Sequence, residues 1–135
     1  MPIPTCLSVD HFDFKVCSLD FLYQEEFSII NNGSVSKSFQ FSIEKDLSEI
    51  VKIHPVNGFV QAKNQTRIHI KLELNRDSLE KIENSKFFDS ENDVIEAPVK
   101  VHLSDQRLPL ELMIFAIVNR HSLKVCLKMY AQIVL

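Results

Sequence analysis

Between Thr66 and Leu74 every second residue is aliphatic. Ile68, Ile70, Leu72 and Leu74 fall on one side, and Arg67, His69, Lys71 and Glu73 on the other. A period of two is the repeat of an extended strand with one buried face, and a helix does not sustain it. The alternation returns in Ser38 to Ile43, where Phe39, Phe41 and Ile43 oppose Ser38, Gln40 and Ser42. It returns again in Glu96 to Leu103, with Ala97, Val99, Val101 and Leu103 set against Lys100 and His102. Leu22 to Asn31, anchored by Phe27 and Ile29, and the short run Ile50 to Ile53 add two more strands. Asn31-Asn32-Gly33-Ser34 and Pro55-Val56-Asn57-Gly58 separate strands with residues that tolerate positive φ. Short strands with turns between them predict an all-β sandwich or barrel. At 135 residues the chain is accounted for by one domain.

Three segments depart from this rhythm. Leu7 and Val9 are in one phase while Phe12, Phe14 and Val16 are in the other, so a bulge or a change of sheet is expected near Asp10 and His11. Asn75 to Asp93 is polar, with Leu79, Ile82 and Phe87 spaced as on a short helix capped by Asn75 or Asp77. It reads as a long loop carrying one or two helical turns between strands. Leu108 to Asn119 is apolar on both sides: Leu110, Leu112, Ile114, Ala116 and Val118 on one, Met113, Phe115 and Ile117 on the other. An antiparallel sandwich strand normally leaves one face wet. The second face is therefore either covered by a neighbouring segment such as Leu123 to Leu135, or is a contact surface for another module. Met113, Phe115 and Ile117 are the leading candidate contact residues. A second candidate is the outward basic row Lys63, Arg67, His69 and Lys71. It suits an acidic peptide or acidic protein surface, or else is a solvated strand face whose charges discourage edge pairing.

The composition removes several function classes. A formal charge of −3 gives no electrostatic footprint for nucleic acid. Two glycines, Gly33 and Gly58, are too few for a phosphate-cradling or dinucleotide loop. His11 lies between Asp10 and Asp13 with Cys6 and Cys17 nearby, but no Cys-x-x-Cys or His-x-x-x-His pair announces a metal site. These residues read as a partly exposed strand with structural cysteines. There is no Gly-x-Ser-x-Gly elbow, and adjacent Glu25 and Glu26 point to opposite faces of a strand. No catalytic, cofactor-binding or metal-binding residue is assigned, and no small-molecule substrate is expected. Cys6, Cys17 and Cys126 are odd in number and widely spaced, which suits a reducing intracellular compartment better than a disulfide framework. Met1 to Asp10 does not read as a signal peptide, and Leu108 to Val118, interrupted by Glu111, is too short for a membrane span.

In their order along the chain these elements resemble a known family. Leu7-Ser8-Val9, then Phe12-Asp13-Phe14, then Phe27-Ser28-Ile29-Ile30-Asn31-Asn32-Gly33 and Phe39-Gln40-Phe41, resemble the opening of hydin-type (ASH) and major-sperm-protein-like domains. Ile53-His54-Pro55-Val56-Asn57-Gly58-Phe59-Val60 resembles the family's Pro-x-x-Gly turn, and Leu110 to Val118 its last strand. Lys15 stands where the family often has glycine after the phenylalanine. The resemblance covers residues 6–119 and leaves residues 120–135 as a C-terminal tail, expected to pack on the last strand. It implies an immunoglobulin-like seven-stranded antiparallel β-sandwich without catalytic machinery. It also implies a scaffolding or protein-interaction role in the axoneme of a cilium or flagellum, or at a centrosome, with cytoskeletal proteins or neighbouring modules as partners. The alternative it implies is a major-sperm-protein-type adaptor that binds short acidic peptides through the basic strand face.

Overall fold

The computed structural model describes residues 5–119. In chain order the elements are β1 (Thr5–Leu7), β2 (His11–Ser18), β3 (Leu22–Asn31), β4 (Lys37–Ser42), α1 (Lys45–Ser48) and β5 (Val51–His54). They continue with β6 (Asn57–Val60), β7 (Asn64–Glu73), α2 (Arg76–Glu83), β8 (Phe88–Asp89), β9 (Val94–Leu103) and β10 (Leu110–Asn119). One sheet has the order β1-β3-β7-β5, and the other β2-β10-β9-β4-β6, with β8 added beside β9. Of the inward residues read from the alternation, Ile68, Ile70, Leu72, Val99 and Ile114 are fully buried between the sheets, while Ile43 and Leu110 are partly buried. The all-β sandwich is therefore the fold. The expected packing of residues 120–135 on β10 lies outside the described residues.

The strand count and one pairing differ from a seven-stranded antiparallel arrangement. Ten strands are present among the described residues, and β2 runs parallel to β10. The cause is the N-terminal strand, which changes sheet where the phase of its apolar residues changes. Leu7 of β1 pairs with Ile29 of β3, whereas His11 of β2 pairs with Met113 of β10 in the other sheet. A bulge follows within β2: Asp13 is opposite Phe115, but Val16 is opposite Ile117, so β2 holds one residue too many. Lys15 takes φ 60° there, and its N–H donates to Asp13 Oδ1 at 2.8 Å. The bulge turns Val16 outward, against the expectation that it shares the side of Phe12 and Phe14, and brings Cys17 into the core.

An L-residue pays a steric cost in the left-handed region that glycine does not. Since Lys15 is exposed, Lys15→Gly is expected to stabilise the domain by ~0.5–1 kcal/mol, read as a raised urea midpoint with an unchanged m-value. A lowered midpoint would contradict the bulge geometry.

Neither glycine has positive φ; Lys15, Asp20, Lys63 and Asp93 do. Gly58 belongs to β6 instead of a turn, and a Cβ there would sit 3.1 Å from Cζ of Phe39. Its role is close approach to an aromatic ring. The β3–β4 turn is held by Asn31, which is fully buried. Its Nδ2 donates to the carbonyls of Val35 at 2.9 Å and Val60 at 3.0 Å, and its Oδ1 accepts the Gly33 N–H at 3.0 Å. One side chain thereby closes the turn and ties the end of β3, in one sheet, to β6 in the other. Between the sheets Phe27 packs on Phe12 and Phe41, with ring centroids 5.7 and 5.9 Å away, and Phe41 on Phe39 at 5.9 Å. The long loop after β7 carries α2, capped by Asn75 and not Asp77. Asn75 Oδ1 accepts from the Ser78 N–H while Ser78 Oγ accepts from the Asn75 N–H. Leu79, Ile82 and Phe87 from this segment are buried against the core.

Candidate protein-interaction faces

The outer face of the six-stranded sheet is built in three rows by the registers of β2, β10 and β9. His11, Met113 and Pro98 form the first, Asp13, Phe115 and Glu96 the second, and Val16, Ile117 and Val94 the third. Alternation along β10 sends Leu112, Ile114, Ala116 and Val118 into the core and leaves Met113, Phe115 and Ile117 on this face. Met113 and Phe115 are half-buried by their row neighbours, with the His11 ring meeting Phe115 edge-on at 6.4 Å. Ile117 is 43% exposed and Val16 beside it 56%. The sequence reading placed the three β10 residues on this face but omitted Val16, Val94 and Pro98. Val16 was hidden by the bulge, for which the only signal was Lys15 in a position that favours glycine. Pro98 and Val94 are consistent with their phase on β9, opposite the inward Ala97 and Val99.

The outer face of the four-stranded sheet carries the basic row, though not as a row of four. Arg67, His69 and Lys71 are exposed or half-exposed along β7. Lys63 precedes the strand, in a turn with φ 58°, and its ammonium donates to the Asn32 carbonyl at 2.6 Å. Glu26 on β3 partly neutralises the remainder, lying 3.7 Å from Arg67 and 3.3 Å from His69. Lys71 is directly opposite Lys52 of β5, whose ammonium turns away to the Ser48 carbonyl at 2.8 Å. The structure thus separates Lys63 from Arg67 and Lys71, and gives the face a mixed charge.

A third surface feature had no counterpart in the sequence reading. Phe59 on the edge strand β6 is 73% exposed, beside a shallow groove lined by Ser38, Phe39, Asn57 and His102. Its neighbours Pro55 to Gly58 look like a turn in sequence, which hid the strand.

His11 Nδ1 lies 2.6 Å from Asp10 Oδ1, and this hydrogen bond holds the Asp10 carboxyl below the usual carboxylate range. His11 and Asp13 do share a face, but no group of three metal-ligating side chains converges among the described residues. Burial, and after it the nearby Asp13 carboxylate, push the Cys17 thiol up to about 11, which keeps it protonated in the core. No helix among the described residues is long and apolar enough to cross a membrane.

Residues 5–119 match the family described as the CFAP74 third Ig-like domain. The chain belongs to that family. It is 28% identical over 123 residues to the cilia- and flagella-associated protein 74 of Mus musculus, covering 91% of this chain and 8% of that protein. The chain therefore spans under a tenth of the curated relative's length. Among solved structures it is similar to the ASH/PapD-like domain 7 of human CEP192, with a TM-score of 0.58 at 10% identity, over 88% of this chain and 87% of that one. It is also similar to WR4, a Caenorhabditis elegans major-sperm-protein family member, with a TM-score of 0.51 at 10% identity, over 86% and 98%. As a CFAP74-type Ig-like domain the chain has the ASH and major-sperm-protein-like fold that its strand and turn order resembled.

Proposed function

We propose that this CFAP74-type Ig-like domain is a non-catalytic structural and protein-interaction module of a cilium- or flagellum-associated protein, docking through the outer face of its six-stranded sheet. The observation that carries this reading is β10. It is buried on its inner side, yet it presents Met113, Phe115 and Ile117 outward, continuous with Val16, Val94 and Pro98. An apolar surface of this kind on a sheet is costly to leave in water and is the usual core of a protein contact. Family membership supports the ciliary setting, and burial holds the Cys17 thiol in its protonated, unreactive form. The partners would be cytoskeletal proteins or neighbouring modules.

Expressed with a fluorescent tag in ciliated cells, the chain is expected to concentrate in the axoneme. Ile117→Asp, which adds a charge at an exposed position, is expected to disperse it while the melting temperature stays within a few degrees of wild type. Axonemal enrichment unchanged by Ile117→Asp would refute docking through this face.

A second reading is an adaptor for short acidic peptides on the four-stranded sheet. One observation favours it: Lys52 and Lys71 occupy opposed positions on β5 and β7, which gathers two cationic side chains on this part of the sheet. Against it stand Glu26, already shared by Arg67 and His69, and Lys63, held in its turn.

A further inference from the structure

We propose that the outer face of the six-stranded sheet selects a basic partner, an apolar protein segment bearing lysine or arginine, which seats a cation against Glu96. This rests on the reading of that face as a contact surface and adds the chemistry of what it contacts. The placement of two carboxylates carries the argument. Met113 with Pro98, and Ile117 with Val16 and Val94, are apolar. In the row between them Phe115 is flanked by Asp13 on β2 and Glu96 on β9. Along β9 the outward residues on either side of Glu96 are again Val94 and Pro98. Both acids therefore lie inside the apolar patch and not at its margin. A partner that covers Met113, Phe115 and Ile117 must enclose them too.

Enclosing a carboxylate strips its water, and the loss is recovered only when a cation or hydrogen-bond donor takes the water's place. Asp13 is partly provided for, since its Oδ1 accepts the Lys15 N–H at 2.8 Å. Glu96 is exposed, and no salt bridge among the described residues engages its carboxylate. It stands on a groove of about 350 Å³ lined by Phe88, Asp89, Val94, Pro98 and Met113, which has room for a long side chain. The other charges on this groove are already engaged. Asp89 accepts from Asn92 at 2.9 Å and from the Glu91 N–H at 3.0 Å, and Lys86 pairs with Glu44 at 3.4 Å. Lys100, further along β9, is opposite Glu111. A lysine or arginine entering the groove lays its aliphatic stem on Val94, Pro98 and Met113 while its cation reaches Glu96. Asp13 and Glu96 sit on the strands either side of β10, about 10 Å apart at two strand spacings, so two cations at that separation meet both. An uncharged or acidic segment would leave Glu96 enclosed without a partner, and the face discriminates against both.

The experiment measures co-sedimentation of the full 135-residue chain with demembranated axonemes for Glu96→Gln, Glu96→Lys, Glu80→Lys and Ile117→Asp. Glu96→Gln keeps the side chain's shape and removes its charge, and is expected to weaken binding about fivefold. Glu96→Lys is expected to weaken it more than about tenfold. Glu80 is exposed on α2, away from the sheet face, so Glu80→Lys makes the same change of net charge and is expected to bind like wild type. Tighter binding by Glu96→Lys would mean an acidic partner and overturn the proposal. Equal losses from Glu80→Lys and Glu96→Lys would reduce the effect to net charge and overturn it as well. Both Glu96 variants binding like wild type while Ile117→Asp binds weakly would overturn the basic partner and leave the contact surface standing. Wild-type binding by Ile117→Asp also would remove the contact surface, and the proposal with it.

Discussion

Replacing Asn31 by Asp is expected to cost about 3–5 kcal/mol at neutral pH, a large part of the stability of an ordinary domain. The two N–H groups of Asn31 Nδ2 each serve a backbone carbonyl, those of Val35 and Val60, and the side chain is fully buried. A carboxylate presents oxygen to both carbonyls, donates nothing, and carries a charge into a fully buried site. Asn31→Ala is expected to cost less, about 2–3 kcal/mol, because it abandons three hydrogen bonds without burying a charge. The two variants also differ in pH dependence. In Asn31→Asp the folded site favours the protonated acid, so its folded pKa is raised above the unfolded value near 3.9. The protonated form can donate one hydrogen bond, so the deficit is smallest at about pH 3 and grows as pH rises through the unfolded pKa. Urea denaturation at about pH 3.5 and pH 7 reads both effects. Equal stability of the Asp and Ala variants at both pH values would contradict the placement of Asn31 between two carbonyls.

The second large effect is expected at Phe27. Its ring joins the four-stranded sheet to Phe12 and Phe41 of the other sheet, and truncation leaves a cavity that two rigid sheets cannot close. Phe27→Ala is expected to destabilise the domain by about 3–5 kcal/mol. Phe59→Ala, a truncation of the same size at the exposed β6 edge, is expected to change stability by under about 0.5 kcal/mol. Comparable losses from the two would mean that the aromatic cluster does not form the centre of the sandwich.

How far the sequence carried is best seen residue by residue. The alternation of Ile68, Ile70, Leu72 and Leu74 identified the core side of β7 because a strand has two faces and only one touches apolar atoms. The change of phase between Val9 and Phe12 located the switch of sheets for the same reason. Lys15 marks where that logic stopped. A bulge reverses the phase after it, so Val16 turned out and Cys17 turned in, and the only warning is a lysine where the family often has glycine. Gly58 misled in another way: glycine suggests a turn, but here it makes room for Phe39 across a strand pair. Lys63 seemed to extend the row of Arg67 and Lys71 by spacing alone, and a left-handed turn took it out of register.

Of the candidate contact residues, Met113, Phe115 and Ile117 were legible because an apolar residue on the outward side of a strand breaks the expected pattern. Their neighbours Val94 and Pro98 depend on which strand lies beside β10, which only tertiary structure supplies. Asn31 was visible as part of a turn, but its burial depends on β6, a strand the sequence did not reveal.

Which face docks is tested most directly by co-sedimentation of the purified chain with demembranated axonemes, comparing Ile117→Asp with Lys71→Glu. Both substitutions lie on exposed or half-exposed strand positions of opposite sheets and leave the core untouched. Docking through the six-stranded sheet requires Ile117→Asp to weaken binding by about tenfold or more, with Lys71→Glu close to wild type and little salt dependence. Binding lost in Lys71→Glu, weakened steeply by salt and retained in Ile117→Asp would place the contact on the basic face instead.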